Sequence, residues 1–265
     1  METFNQFSSQ DGDLTLGRRA KIIEMIDRFG QVKVTELSRI FNVSEVTIRN
    51  DLEQLEGKGL LIRTRGGGLK TERVKIDYQF SNESKLHYKE KQAIGKKAAE
   101  LVSENDSIIL DSGSTTQEVA QNLLQFHHLT IITNALNIAS FFVNKPNIKV
   151  VMLGGILKHS SLSLIGPMAE KGIKNLYCDK VFLGVNGIDS KHGISTTNIE
   201  DAYLNQLMIN ISNEVIVVTD SSKFLNRSFA TISPITEIDV VITDSKIPKE
   251  ELKNLQNVGV KTVVV

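Results

Sequence analysis

Apolar positions follow two different rhythms along the chain. Over the first 60 or so residues they recur at helical spacing. Ile22, Ile23, Met25 and Ile26 share a side of a segment spanning 16–30, and Gly30 stops it. The extended piece QVKV follows. Leu37, Ile40 and Phe41 then mark the inner side of a second helix near 35–41. Ser44 suits the N-cap of a third helix. In that helix Ile48, Leu52 and Leu55 follow the i, i+4, i+7 spacing of a core-facing stripe. At about 100° per residue, Val46, Asn50 and Glu53 fall on the opposite side, with Thr47 and Arg49 on the flanks. Gly57 and Gly59 close the helix, and LLIRTRGGGLK reads as a strand, a tight glycine tip and the start of a return. The pattern predicts three helices and a two-stranded wing.

From residue 107 the rhythm changes. SIIL, LTIIT, IKVVML, KVFLGV, EVIVVT, DVVIT and VKTVVV are short, rich in β-branched residues and mostly not alternating. Strands buried on both faces read this way. Helical stretches near 115–124, 135–143, 167–176, 199–210 and 248–256 separate them. A further helix near 85–102 has Ile94, Ala98 and Leu101 on one face. This alternation predicts an α/β domain with a mostly parallel sheet. The expected organisation is a flexible arm over 1–15, a helical unit with a wing over 16–70, a linker over 71–84 and the α/β domain over 85–265.

Composition adds limits. The 265 residues carry 31 Lys and Arg against 31 Asp and Glu, so no general basic coat draws the chain to nucleic acid. Residues 1–70 are also nearly balanced, so a local reading head has to be argued from position. Cys178 is the single cysteine, which excludes an intrachain disulfide and a thiolate metal cluster within one chain. His127, His128 and His192 show no metal-ligand spacing. No metal or cofactor is implied. With neither a leader pattern nor an apolar run near 20 residues, a cytoplasmic protein without membrane contact is expected.

Two stretches carry candidate chemistry. A third helix beside a wing can enter the major groove of double-stranded DNA, where Arg pairs with guanine and Asn with adenine. Arg49 and Asn50 supply those groups, and Thr47 supplies a methyl or phosphate contact. Arg63 and Arg65 would carry the wing onto the backbone or into the minor groove, with Gly66, Gly67 and Gly68 permitting close approach. The plainer reading is a helical adaptor with solvated arginines. The second stretch, IILDSGSTTQEVAQNL, sets Asp111, Gly113, Ser114, Thr115 and Thr116 between a strand and a helix. Free N–H groups and the helix dipole favour an anion there, although such loops also cap helices without a ligand. Thr133 and Asn134, Gly154 and Gly155, and the run from Asp220 to Lys223 end later strands. Strand ends of that kind line ligand crevices in open α/β sheets.

The run VTELSRIFNVSEVTIRNDLEQLEGKGLLIRTRGGG resembles the N-terminal signature of the DeoR family of bacterial sugar-metabolism repressors. Leu37, Ser44, Thr47, Ile48, Arg49, Asp51, Leu52, Arg63, Gly66 and Gly67 stand at its signature positions. The family commonly has Arg or Lys where this chain has Asn50, so the operator read is expected to differ. DSGSTT, TNALNIA, LGG, KVFLGVNGID, GIST, VVTDSSKF and VVITD extend the resemblance over nearly the whole chain. It implies a winged helix-turn-helix joined to an effector domain related to ribose-5-phosphate isomerase that senses phosphorylated sugars. DNA contacts would come from Ser44, Thr47, Arg49, Asn50, Arg63, Arg65, Gly66 and Gly67. The Asp111–Thr116 loop would hold the phosphate, with Thr133, Asn134, Gly154, Gly155, Asp179, Gly184, Glu200 and Lys223 around it. STTNIEDAYLNQLM and VVTDSSKFLNRS further resemble the branch that regulates use of N-acetylgalactosamine and galactosamine. The resemblance also implies a homodimer or homotetramer. The rival class is a sugar-phosphate isomerase using Asp111, Glu200 and Lys223. A catalyst does not need the N-terminal unit, so a regulator without enzymatic activity is the expectation.

Overall fold

The computed structural model of the chain describes residues 8–57, 60–70 and 86–265. Its contacts divide into two units that part near residue 75. The expected linker lies outside the described residues, as do Gly59 and the first seven residues of the expected arm.

The first unit holds α1 (Ser8–Phe29), β1 (Gln31–Lys33), α2 (Val34–Phe41), α3 (Glu45–Gly57), β2 (Leu61–Thr64) and β3 (Gly67–Lys70). Helix α1 starts at Ser8 and not at residue 16. An apolar stripe is needed only where a helix packs, so its first residue marks the contact and not the helix end. Ile22, Ile26, Leu37, Ile48, Leu52, Leu55 and Leu61 form the core. Ile40 is exposed, contrary to the sequence reading. Val34 and Leu37 set the buried side of α2, and Phe41, one turn beyond Leu37, packs against the core in its place. Asn42 closes α2 in the left-handed conformation, φ 51°, and its N–H reaches the Arg39 and Ser38 carbonyls.

The wing has three strands, not two. β3 pairs antiparallel with both β2 and β1. The residue type at 67 decides this arrangement, because a Cβ on Gly67 would stand 1.8 Å from the Val32 carbonyl oxygen. Asp51, 1% exposed, lies on the inner side of α3. Its carboxylate accepts the Nε–H of Arg18 at 2.5 Å and of Arg19 at 2.7 Å, tying α3 to α1.

The second unit is a seven-stranded, wholly parallel sheet. Its strands are β4 (Ser107–Leu110), β5 (Thr130–Thr133), β6 (Lys149–Met152), β9 (Cys178–Leu183), β12 (Ser212–Val218), β14 (Val240–Thr243) and β15 (Lys261–Val264), in the order β15-β14-β12-β9-β4-β5-β6. All pairings are parallel. These are the seven apolar runs of the sequence. They fail to alternate because both faces are covered. Ile108, Leu110, Phe182, Ile216 and Val218 enter one core, packed by α4 (Tyr88–Ala99), α5 (Ser114–Asn122) and α6 (Leu136–Phe141). Ile109, Val181, Leu183, Val215 and Val217 enter the other, packed by α7 (Pro167–Ile173), α8 (Ile199–Asn210) and α9 (Lys249–Asn257). Two smaller sheets were not legible in the pattern. One is the hairpin of β7 (Ile156–Lys158) and β8 (Ser163–Ile165); the other joins β10 (Gly187–Asp189), β11 (Gly193–Thr196) and β13 (Ala230–Ser233). Among the described residues no helix is long and apolar enough to cross a membrane.

The Asp51 contact gives a test of the first unit. Asp51→Ala removes a buried acceptor shared by two charged donors, and is expected to cost ~2–3 kcal/mol. Hydrogen exchange should then speed up across α1 and α3 and stay unchanged in the seven-stranded sheet. Undiminished protection in α1 would show that the two arginines contribute nothing to its docking.

Candidate functional site

The first unit presents an outward face on α3 and the tip of its wing. Ser44 caps α3, its Oγ accepting the Thr47 N–H at 3.1 Å and bonding Thr47 Oγ1 at 2.8 Å. Both hydroxyls therefore shape the helix start. Arg49 is exposed and donates to Glu45 Oε2 at 2.6 Å, one turn back. Asn50 and Glu53 are exposed beside it, on the face opposite Ile48 and Leu52. At the wing Arg65 and Gly66 are exposed, while Arg63 is half-buried and its N–H donates to Glu56 Oε1 at 3.0 Å. Gly67 and Gly68 are buried. Gly67, expected among the DNA contacts, is thus taken up by the β1–β3 pairing. Gly66 has nothing within 4 Å of an added Cβ and remains open to a close approach.

In the second unit a pocket opens beyond the carboxyl ends of β4, β9 and β12. Its lining includes Asp111, Gly113, Ser114, Thr115, Gly184 and Lys223, all expected from the sequence. Strand order reverses between β4 and β9, and ligand crevices of open α/β sheets form at such a reversal. Gly113 stands at the N-cap of α5 with no side-chain cap. The first N–H groups of the helix and its dipole are therefore directed at the pocket side. Thr116 is fully buried, and its Oγ1 donates to the carbonyls of Asp111 at 2.7 Å and Gly113 at 2.9 Å. It shapes the loop and does not line the pocket.

Asp111 is 5% exposed, and the Gly184 N–H donates to its Oδ2 at 3.3 Å. Burial pushes its carboxyl up to about 7; the Ser112 N–H opposes this, and the charge of Asp201 adds to it. Lys158 reaches the pocket from the β7–β8 hairpin and pairs with Asp201 at 2.6 Å. Lys91 enters from α4, 3% exposed. Burial pushes Glu118, on α5, upward against the pull of Lys91. Asn186, Thr196, Asn205 and Asp220 complete most of the polar wall.

Several expected residues lie elsewhere. Thr133 is buried, and its Oγ1 accepts the Ala135 N–H at 3.0 Å. Asn134 is also buried and donates to the Leu164 carbonyl at 3.2 Å, fastening β8. Gly154 and Gly155 start the turn into the hairpin. Gly155 has φ 143°, and a Cβ there would stand 2.4 Å from the Ile165 carbonyl oxygen. Asp179 sits at the opposite end of the sheet, where its carboxylate accepts the Ser107 N–H and hydroxyl and is held below the usual range by those bonds. Glu200 is exposed, and its neighbour Asp201 faces the pocket instead. One residue along a helix turns the side chain by about 100°. Lys91, Lys158 and Asp201 carry no local signature. The strand-end rule did reach Asp220.

The DeoR-like helix-turn-helix domain family matches residues 18–73, and the DeoR C terminal sensor domain family matches residues 86–245. A protein of Escherichia coli O157:H7, provisionally described as the aga operon transcriptional repressor, is 37% identical over 95% of this chain and 94% of its own. The HTH-type transcriptional regulator GolR of Listeria innocua serovar 6a is 36% identical over 91% of this chain and 95% of its own. The HTH-type transcriptional repressor GlcR of Bacillus subtilis strain 168 is 34% identical over 90% and 91%. Among solved structures, ribose 5 phosphate isomerase A from Neisseria gonorrhoeae aligns with a TM-score of 0.37 and 15% identity, over 52% of this chain and 53% of that one.

Asp111 makes the stability of the unliganded second unit depend on pH. Its carboxyl stands at about 7 in the folded chain, against roughly 4 when unfolded. Between those values the folded chain holds a proton that the unfolded chain has lost. The contribution of Asp111 to stability therefore falls as pH rises from ~4 towards 7 and levels off above that. Asp111→Asn should remove this share of the pH dependence. Its melting temperature relative to the wild type should climb as pH rises, by an amount on the order of 3 kcal/mol in stability. A constant difference from pH 4.5 to 8 would show that Asp111 ionises as freely as in water.

Proposed function

The chain belongs to the DeoR family of transcriptional regulators, and from that premise we propose that it represses sugar-catabolic genes under control of a phosphorylated sugar. The observation that carries this reading is one chain holding two separate surfaces. One is a winged helix-turn-helix whose third helix shows Arg49 and Asn50 outward. The other is a pocket that sets the start of α5 among Lys91, Lys158 and Lys223. The helix start suits a phosphate, and the hydroxyl, amide and carboxylate groups opposite suit a polyhydroxylated body. The E. coli relative is named for the aga operon, and together with the sequence blocks around α8 this favours an amino-sugar phosphate. Effector binding shifts the balance between arrangements that do and do not hold operator DNA. The protein works in the cytoplasm, as a homodimer or homotetramer, since one winged unit covers few base pairs and paired half-sites call for a symmetric assembly. The named relatives are regulators, and the reading includes no catalysis.

Thermal-shift measurements with galactosamine 6-phosphate, N-acetylgalactosamine 6-phosphate and the unphosphorylated sugars test the effector class. Stabilisation that requires the phosphate is the expected result. Turnover of any of these compounds would move the protein to the isomerase class. Gly113→Val puts a branched side chain at the α5 start, where even a Cβ meets Thr116 Oγ1 at 3.2 Å. Effector affinity by calorimetry should fall about tenfold or more, with DNA binding by the effector-free protein retained. Unchanged affinity would remove the α5 start as the phosphate site.

At the reader, Asn50→Ala should cost ~1–3 kcal/mol on the operator and little on random duplex. Arg65→Ala should weaken both duplexes alike and lower the salt slope by about 1. Binding titrations at several salt concentrations separate the two. Equal losses on both duplexes for Asn50→Ala would remove α3 as the base reader.

A further inference from the structure

The outward face of α3 has an unusual makeup for a surface that meets DNA. Val46 is 62% exposed at its centre. Asn50 lies one turn further on the same face, with Arg49 and Glu53 beside it. Arg49 is the only basic residue in the helix, and Glu45 already holds its guanidinium at 2.6 Å. With Arg49 paired to Glu45, Glu53 leaves the face with one net negative charge, which disfavours phosphates. The face suits the groove floor, where bases offer amino donors, ring acceptors and the thymine methyl group. The apolar packing of α3 runs through Ile48, Leu52 and Leu55 on the other side, so Val46 contributes nothing to the core. A β-branched residue in an exposed helical turn is also poorer for helix stability than alanine.

We propose that Val46 reads a thymine methyl group in the operator, within two base pairs of an adenine read by Asn50. Helix positions i and i+4 stand about 6 Å apart along the axis, close to two base-pair steps of ~3.4 Å. The N-terminal residues of a recognition helix are the ones that reach base edges, and Val46 is in the first turn of α3. Glu45 acts as a positioning residue. It fixes Arg49 on the flank and leaves the centre of the face to the valine and the amide. The assignment rests on the DNA-reading role proposed above and narrows it to a methyl contact.

The test uses the full-length protein without added sugar phosphate. Binding sites are selected from a random-sequence duplex pool with the wild type, Val46→Ala and Asn50→Ala. Each thymidine of the wild-type site is then replaced in turn by 2′-deoxyuridine, which deletes only the methyl group. In each half-site one replacement should weaken wild-type binding about fourfold, the effect of one buried methyl. Val46→Ala should bind the two duplexes alike. The sensitive thymine should lie within two base pairs of an adenine whose preference is lost in sites selected by Asn50→Ala. Val46 is a surface residue, and matching unfolding curves for variant and wild type confirm that the fold is unchanged. A wild type indifferent to every replacement overturns the assignment, as does a sensitive thymine that stays sensitive in Val46→Ala. Failure to enrich any sequence overturns the DNA-reading role itself.

Discussion

The reversal of strand order between β4 and β9 is the constraint on which the pocket depends. The chain enters the sheet at β4, builds β5 and β6 on one side, then crosses back to lay β9 against the other edge of β4. The connections leaving β4 and β9 must therefore run apart, over opposite faces. The gap opened by that divergence is the crevice. Two glycines face each other across it, with the Cβ positions of Gly113 and Gly184 each under 4 Å from the other's Cα. Side chains on both would close the mouth. Asp111, just past β4, accepts the N–H of Gly184, just past β9, so one carboxylate joins the two strand ends at their point of separation.

This dependence explains what the sequence could and could not disclose. The seven strands were legible because each is buried on both faces and reads as an unbroken apolar run. The Asp111–Thr116 loop was legible as a strand-to-helix junction, and Asp111, Gly113, Ser114 and Thr115 line the pocket while Thr116 does not. The strand-end argument reached Asp220 and Lys223 because β12 ends beside the reversal, whereas Gly184 was implied only by the family resemblance. It also points to Thr133, Asn134, Gly154 and Gly155, which are not in the pocket lining. Those residues end β5 and β6, on the far side of β4, where the chain turns into the β7–β8 hairpin and their polar groups fasten that turn. Asp179, implied only by the family resemblance, lies near the start of β9 and bonds Ser107, away from the pocket end of the sheet. Lys91, Lys158 and Asp201 come from a helix, a hairpin and another helix, and only the tertiary fold brings them together.

The first unit shows the same contrast on a smaller scale. The apolar spacing of α1, α2 and α3 specified which faces pack. In sequence Asp51 opposes a phosphate contact unless it faces a neighbouring arginine, and nothing local names Arg18 and Arg19 as its partners. Its burial against Arg18 and Arg19 removes the conflict. The charge that would repel phosphate is turned inward and spent on holding α1 to α3. β1 was read only as an extended piece, because three residues leave too short a period to recognise. Its pairing is instead recorded at a distance, in the missing side chain of Gly67.

The charges around the pocket suggest why Asp111 is kept near neutrality. Lys91, Lys158 and Lys223 share the lining with Asp111, Asp201 and Asp220. With all six ionised their formal charges sum to zero. A proton on Asp111 tips the balance towards positive charge where a phosphate would sit, and it turns the carboxyl from an acceptor into a donor. A phosphate brought to that place in turn disfavours the ionised carboxyl. At the proposed phosphate site, anion binding and protonation of Asp111 would therefore support each other, with the carboxyl at about 7 in the empty pocket.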